Sequence, residues 1–301
     1  MGRGILHCPC QYTPPYTGGS TARSGTGSRY LRVLPCGEGL GILTSAFRKS
    51  LRSVEACVMV AQSASPIPYS SEHPETVRSM FAAIARRYDL LNTLLSLNRH
   101  KAWRRTAVRL AQVKPGELAL DVCTGTGDFA LELYKAVGPS GLVVGADFCR
   151  PMVAQGIPKV RKASGGRIRM MLADGLRLPY QANSFHCATV GFGIRNMADA
   201  AQALREMARV VRPGGRVVCL EFSRPTNPLI RSISDLYQTY FLPFVGGLLS
   251  RRDAYTYLPS SIRTFHSREE LAAMMRSVGL EDVRVHNLNL GTVCIHIGTK
   301  R

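Results

Sequence analysis

Leu118-Ala119-Leu120-Asp121-Val122-Cys123-Thr124-Gly125-Thr126-Gly127-Asp128-Phe129-Ala130 begins as a short apolar run, meets two glycines, and continues as a helix-compatible segment to residue 137. The run is long enough for one buried strand. A strand that turns through glycine into a helix brings backbone N–H groups and the helix N-terminus up against a ligand. Gly125 and Gly127 have no side chain to block that approach. Asp121, Thr126 and Asp128 add donors and acceptors around it.

Outward from this loop, strands and helices alternate. The apolar runs predict strands at residues 118–122, 142–147, 168–172, 185–190 and 216–222, with helices at 129–137, 151–163 and 199–211. Alternation of this kind implies a parallel sheet covered on both faces. Arg212-Pro213-Gly214-Gly215 is a turn signal directly before the fifth strand. Near the end, two period-two stretches starting at Val283 and Thr292 flank Asn289-Leu290-Gly291 and read as a hairpin.

Two nucleotide-type ligands suit the loop. Gly125-x-Gly127-x-x-Ala130 satisfies a dinucleotide fingerprint, in which alanine is tolerated at the third position. Asp-x-x-x-Gly-x-Gly, starting at Asp121, satisfies the loop that binds S-adenosylmethionine (SAM). An acid at the strand end suits SAM's cationic amino acid and repels a pyrophosphate. A parallel five-strand core closed by a terminal hairpin is the Rossmann-like class I SAM-dependent methyltransferase arrangement. A dehydrogenase would continue into a second βαβ half.

Residues 74–114 read as an N-terminal helical cap. Val77, Met80, Phe81 and Ile84 keep helical spacing, as do Trp103, Ala107, Leu110 and Ala111 before Lys114-Pro115-Gly116 ends the pattern. Tyr88 and Trp103 are placed to border a ligand. Residues 223–266 interrupt the β/α scheme. There Leu229, Ile233, Leu236, Tyr240 and Phe244 form an apolar face, widened by Ile230, Tyr237, Phe241, Val245 and Leu248, until Pro243, Gly246 and Gly247 break it. This insertion reads as a lid. Its uses are roofing a long apolar substrate, touching a membrane surface, or making a homodimer contact.

Residues 1–73 read as a basic extension outside the methyltransferase domain at 74–301. The first 58 residues hold seven Lys/Arg and two acids. That composition suits an organellar targeting peptide, a disordered extension, or sequence upstream of a start at Met59. Without those 58 residues, 32 basic and 18 acidic residues leave a net +14. The charge is compatible with nucleic acid, an anionic membrane surface or a basic proteome. No apolar run approaches the roughly 18 residues of a membrane span. The nine cysteines include no Cys-x-x-Cys pair, so no metal is expected. Cys123, Cys149, Cys187, Cys219 and Cys294 read as small core residues in a reducing compartment.

The remaining candidate site residues stand at strand ends. Asp147 follows Gly127 by twenty positions and can accept from both ribose hydroxyls. Asp174-Gly175 can receive an adenine amino group. Phe192-Gly193-Ile194-Arg195-Asn196 follows the fourth strand, where substrate should lie. Arg195 stays protonated; it can stabilise a phenolate oxygen.

These motifs resemble the ubiquinone/menaquinone biosynthesis C-methyltransferases of the UbiE/MenG type, over roughly residues 77–300. The pieces that carry the resemblance include Met80-Phe81-x-x-Ile84, Arg87-Tyr88-Asp89-x-x-Asn92, Phe192-Gly193-Ile194-Arg195-Asn196 and Leu220-Glu221-Phe222-Ser223. The resemblance implies SAM as methyl donor and methylation of a ring carbon on a prenylated quinol, demethylmenaquinol becoming menaquinol. The equivalent steps towards ubiquinone or phylloquinone are the alternatives. Cys123 beside the Gly-Thr-Gly loop leans the reading towards a bacterial naphthoquinone enzyme. By the same resemblance Thr126, Asp147, Asp174 and Gly175 would bind SAM, beside Gly125 and Gly127 of the glycine loop; the role of Arg195 in steadying an oxygen anion rests on its position and its fixed charge. Some relatives carry Ser at the position of Gly191, a contact glycine cannot make. His186 and His266 are available as proton acceptors without being singled out by position.

The expected location is cytoplasmic with peripheral contact to the inner membrane, or an organelle if the first 58 residues are a transit peptide. An RNA methyltransferase would want an aromatic platform or an appended module; neither appears, so no nucleic-acid partner is expected. A non-catalytic scaffold in a quinone-biosynthesis assembly is the reading from another class.

Overall fold

β1 (Leu118–Val122) is an interior strand, third from one edge of a seven-stranded sheet, and all five of its residues are buried. A computed structural model describes residues 72–241 and 252–301. The expectations for residues 1–71 of the basic extension and for Pro243, Phe244, Val245, Gly246, Gly247 and Leu248 lie outside the described residues, whereas Glu72 and His73, read as the end of that extension, begin the first helix.

Beside β1 on one side is β2 (Leu142–Asp147), then β3 (Ile168–Leu172). On the other side lie β4 (Phe185–Gly191), β5 (Val211–Phe222), β7 (Val293–Lys300) and β6 (Leu280–Leu288), giving the order β3-β2-β1-β4-β5-β7-β6. β1 to β5 are parallel; β7 is antiparallel to both β5 and β6. The five parallel strands and the closing hairpin match the sequence expectation. Strand order reverses between β1 and β4, so their carboxyl ends open a crevice there.

Successive β1 residues face opposite sides of the sheet, and each side is packed. Leu120, Val144 and Ala188 join Leu204 and Met207 of one helical layer. Ala119, Val143 and Cys187 join Phe129, Leu133, Trp103 and Ala107 of the other. Burial on both faces accounts for strands that read as nearly continuous apolar runs. A fully buried Leu133 or Phe129 is worth ~2 kcal/mol.

The helices are α1 (Glu72–Ile84), α2 (Tyr88–Leu95), α3 (Arg99–Ala111), α4 (Asp128–Val137), α5 (Arg150–Ser164) and α6 (Ala200–Val210). α3 was expected in the cap, yet Trp103 and Ala107 pack into the sheet layer. α1 and α2 stand over the strand ends, where Phe81, Ala85 and Tyr88 meet Cys149 and Met152. β5 begins earlier than expected. Val211 pairs with Phe185, the register shifts, and Arg216 pairs with Cys187. The Arg212-Pro213-Gly214-Gly215 signal is therefore an irregularity inside the strand. A Cβ on Gly215 would lie 2.6 Å from the His186 carbonyl oxygen.

In the lid, the Asn227 side chain accepts from the N–H groups of Leu229 and Ile230 and starts α7 (Pro228–Leu236), which has no buried residue. A π-helical turn (Tyr237–Phe241) and α8 (Arg252–Thr264) follow. α9 (Arg268–Ser277) has no counterpart in the sequence reading. Its signal was present: Ser267 and Glu270 form a capping box, and Leu271 and Met275 keep helical spacing.

Candidate active site

At the carboxyl ends of β1, β2 and β4 the chain builds a narrow cleft. Gly125, at φ +57°, turns its N–H towards Asp147, whose Oδ2 accepts at 2.8 Å. The Cys149 N–H donates to Oδ1 of the same carboxylate at 2.8 Å. Burial raises the Asp147 pKa to about 6, against the lowering by these backbone donors. Asp174 and Gly175 form the neighbouring wall, with the Leu176 N–H donating to Asp174 Oδ1 at 2.9 Å. A Cβ on Gly175 would lie 2.7 Å from Met197 Cε, the movable end of a flexible side chain, and 3.1 Å from Val122 Cγ1.

Four of the predicted cofactor residues thus come together: Gly125, Asp147, Asp174 and Gly175 line one cleft. Thr126 and Gly127 stand behind it. The Thr126 hydroxyl donates to Asp89 Oδ1 at 2.5 Å and accepts from Lys159 Nζ at 3.2 Å. Lys159 also reaches Asp89 Oδ2 at 2.7 Å and Asp128 Oδ1 at 2.8 Å. Gly127, at φ +87°, precedes α4, and its Cβ would lie 2.6 Å from Val160 Cγ1 on α5. Its glycine serves helix packing.

Asp121 corrects the sequence reading. Its oxygens accept from the hydroxyls of Thr124 (2.7 Å) and Thr189 (2.8 Å), and it does not line the cleft. Burial raises its pKa to about 7. Cys149, Cys187, Cys219 and Cys294 are buried as expected, whereas Cys123 is half-buried and faces the cleft.

Cleft chemistry separates the two nucleotide readings. Its lining includes the carboxylates Asp147 and Asp174 and, among the described residues, no lysine or arginine. Such a wall suits hydroxyls, an amino group and positive charge, and it repels a pyrophosphate. The residues therefore fit SAM.

A second cavity of about 460 Å³ adjoins the first, and Phe81, Tyr88 and Phe192 line both. It is walled mainly by apolar and aromatic groups, among them Trp103, Phe222 and Ile262. Arg195 lines it. Arg195 Nη1 donates to Glu221 Oε1 and to the Phe192 carbonyl, both at 2.7 Å, and its guanidinium lies 5.3 Å from the Phe222 ring centroid. Glu221 Oε2 is buried without a hydrogen-bond partner among the described residues. The Tyr257 hydroxyl donates to Asn196 Oδ1 at 3.1 Å.

Glu221 and Lys159 were missed as site-supporting residues. An acid in the otherwise apolar stretch 217–222 was the available signal for Glu221; Lys159 had none. Of the two histidines, His186 Nδ1 accepts from the Leu118 N–H at the opposite end of the sheet. His266 is exposed, and neither histidine lines the cleft or the cavity.

The model of the ubiE/COQ5 methyltransferase family matches residues 70–300. A demethylmenaquinone methyltransferase of Bacillus cytotoxicus is 41% identical over 227 residues, covering 75% of this chain and 96% of the relative. A ubiquinone/menaquinone biosynthesis C-methyltransferase UbiE of Geobacter sulfurreducens is 45% identical over 231 residues, covering 76% and 90%. Among solved structures, a SAM-dependent methyltransferase of Aquifex aeolicus aligns with TM-score 0.53 and 17% identity, covering 71% of this chain and 98% of that one. One of Thermotoga maritima gives 0.53 and 20%, covering 74% and 99%. At these identities the structures speak for the fold.

Proposed function

Since the chain belongs to the ubiE/COQ5 methyltransferase family, we propose that it methylates a ring carbon of a prenylated quinol, converting demethylmenaquinol to menaquinol. Family and fold together make it a SAM-dependent methyltransferase. The observation that carries the substrate reading is the pair of adjoining chambers. One is lined, among the described residues, by acids without a cation, the other is mainly apolar with Arg195 in its wall, and Phe81, Tyr88 and Phe192 line both.

When bound, SAM supplies an electrophilic methyl group on sulfonium. Asp147 would hold the ribose hydroxyls, with the Gly125 backbone beside it, and Asp174-Gly175 the adenine edge. A quinol ring carbon is a weak nucleophile until its neighbouring hydroxyl gives up a proton. Arg195 is always protonated, so it acts on the oxygen by stabilising negative charge, not by removing the proton. Glu221 holds the guanidinium in place. Trp103, Phe192 and Phe222 keep water from the cavity. The chain must bring carbon and methyl to roughly 3–3.5 Å.

Purified protein, SAM and demethylmenaquinol test the reading, with the methylated quinol measured by mass spectrometry. Menaquinol formation is expected. Turnover only on the ubiquinone or phylloquinone precursor would reassign the substrate. SAM binding without turnover on any of the three would leave a scaffold.

A further inference from the structure

Residues that line the larger cavity and are also exposed mark its mouth. Leu97 and Leu290 are the most exposed large apolar residues among them, at 79% and 76%, and they come from distant parts of the chain. Both hold backbone conformations that leucine rarely adopts, φ +49° at Leu97 and φ +58° at Leu290. Each therefore combines a solvated large apolar side chain with a strained backbone, a combination found where surrounding structure imposes it for use. Ile233 of α7 is the third exposed apolar residue at the mouth, and Leu229 and Leu236 continue its stripe one turn away on either side. α7 buries none of its residues.

The segments that carry these residues share a charge pattern. Residues 90–116 and 283–301 contain no Asp or Glu and hold at least two Lys/Arg each, and residues 222–236 hold Arg224 and Arg231 against the single acid Asp235. Arg99, exposed, lines the mouth itself, and Lys101, Arg105 and Arg109 are exposed along α3. An apolar rim set among segments in which cations outnumber acids complements an anionic lipid surface, into which leucines insert while basic side chains meet headgroups. Among the described residues no helix is long and apolar enough to cross a membrane.

We propose that the chain docks on an anionic bilayer through this mouth, with Leu97 and Leu290 as the inserting tips. The occupant follows from the proposed function, on which this inference rests for its purpose: a cavity of about 460 Å³ takes the quinol ring and cannot enclose a long polyprenyl chain, which must leave through the mouth. A bilayer pressed against the mouth receives that chain without exposing it to water.

Co-sedimentation of the full chain with vesicles tests the docking without SAM or quinol, so a failure of the substrate reading leaves it standing and the reverse. Wild type is expected to sediment with phosphatidylglycerol-containing vesicles, less so with pure phosphatidylcholine or at high salt. The double variant Leu97→Asn/Leu290→Asn should lose about tenfold or more in vesicle partition. Asparagine tolerates the left-handed region, so the variant's melting temperature should hold or rise, which separates lost docking from lost folding. Wild type remaining in the supernatant would overturn the proposal, as would a variant that sediments like wild type. Equal vesicle binding with loss of a dimer in sedimentation velocity would assign the face to a second copy of the chain instead.

Discussion

Arg195 Nη1 lies 2.7 Å from Glu221 Oε1, with the two side chains only 6% and 1% exposed. One residue follows β4 and the other sits near the end of β5, so the pair ties two strand ends together. Burial pushes the Glu221 carboxyl above its ordinary range, and Arg195 opposes that rise. Desolvation offsets much of the attraction in a pair this deep. Its contribution is placement: a fixed guanidinium in the cavity wall.

Glu221→Ala strands a buried guanidinium, and urea unfolding should show a loss of about 3–5 kcal/mol. Glu221→Gln keeps the shape and one acceptor and should lose less. Arg195→Ala should lower kcat by about 100-fold while SAM affinity, read by calorimetry, stays within about twofold of wild type. Unchanged turnover would remove Arg195 from the chemistry.

Asp121 gives stability a pH dependence. Its folded pKa of about 7 stands above the ordinary 3.8 because of burial, opposed by the Thr124 and Thr189 hydroxyls. The native state therefore holds an extra proton between those two values. The contribution is fully present below pH 3.8 and is lost as pH rises through about 7, a swing on the order of 2–4 kcal/mol. Asp147, at about 6, acts in the same direction. Asp121→Asn removes its share. Melting temperatures of variant and wild type, compared from about pH 4.5 to pH 7.5, should diverge in the variant's favour as pH rises; a constant difference would refute the assignment.

Lys159 ties α2 to the glycine loop through Asp89 and Thr126, and to α4 through Asp128. The partners are part-exposed, so solvent screening holds the whole clamp to about 1 kcal/mol. Its local effect is larger than its global one. In Lys159→Met, amide hydrogen exchange across residues 75–95 should quicken while α6 and β5 keep their protection. Uniform acceleration across the domain would mean Lys159 serves general stability only.

Gly191 is no open slot for the serine of some relatives. A Cβ there would lie 2.7 Å from Phe129 Cδ1 and 3.1 Å from Cε1. Gly191→Ser should destabilise by about 1–3 kcal/mol, seen in denaturant titration, with no gain in SAM affinity. Adding Phe129→Leu should recover part of the loss. A stable single variant that binds SAM more tightly would show that the ring yields freely.

The sheet was legible because its signals are local. Apolar runs at 118–122, 142–147 and 168–172 end at turn residues, and their observed bounds agree with the sequence reading. Gly125, Asp147, Asp174 and Gly175 were legible for a related reason. Each stands at or just past a strand end, and in a parallel sheet those ends converge on one crevice.

The neighbourhood of each side chain was not local. Asp121 and Thr126 belong to the same loop motif as Gly125, yet one turns to Thr189 and the other to Asp89. Glu221 reads as one acid in a strand until β5 pairs beside β4 and brings it to Arg195. Leu97 and Leu290 read as ordinary leucines until the fold leaves both at one mouth. Local chemistry determined which segments become strands and where the crevice opens. Long-range packing decided which polar groups face it, because a hydrogen bond or ion pair needs a partner that only the folded chain brings within about 3 Å.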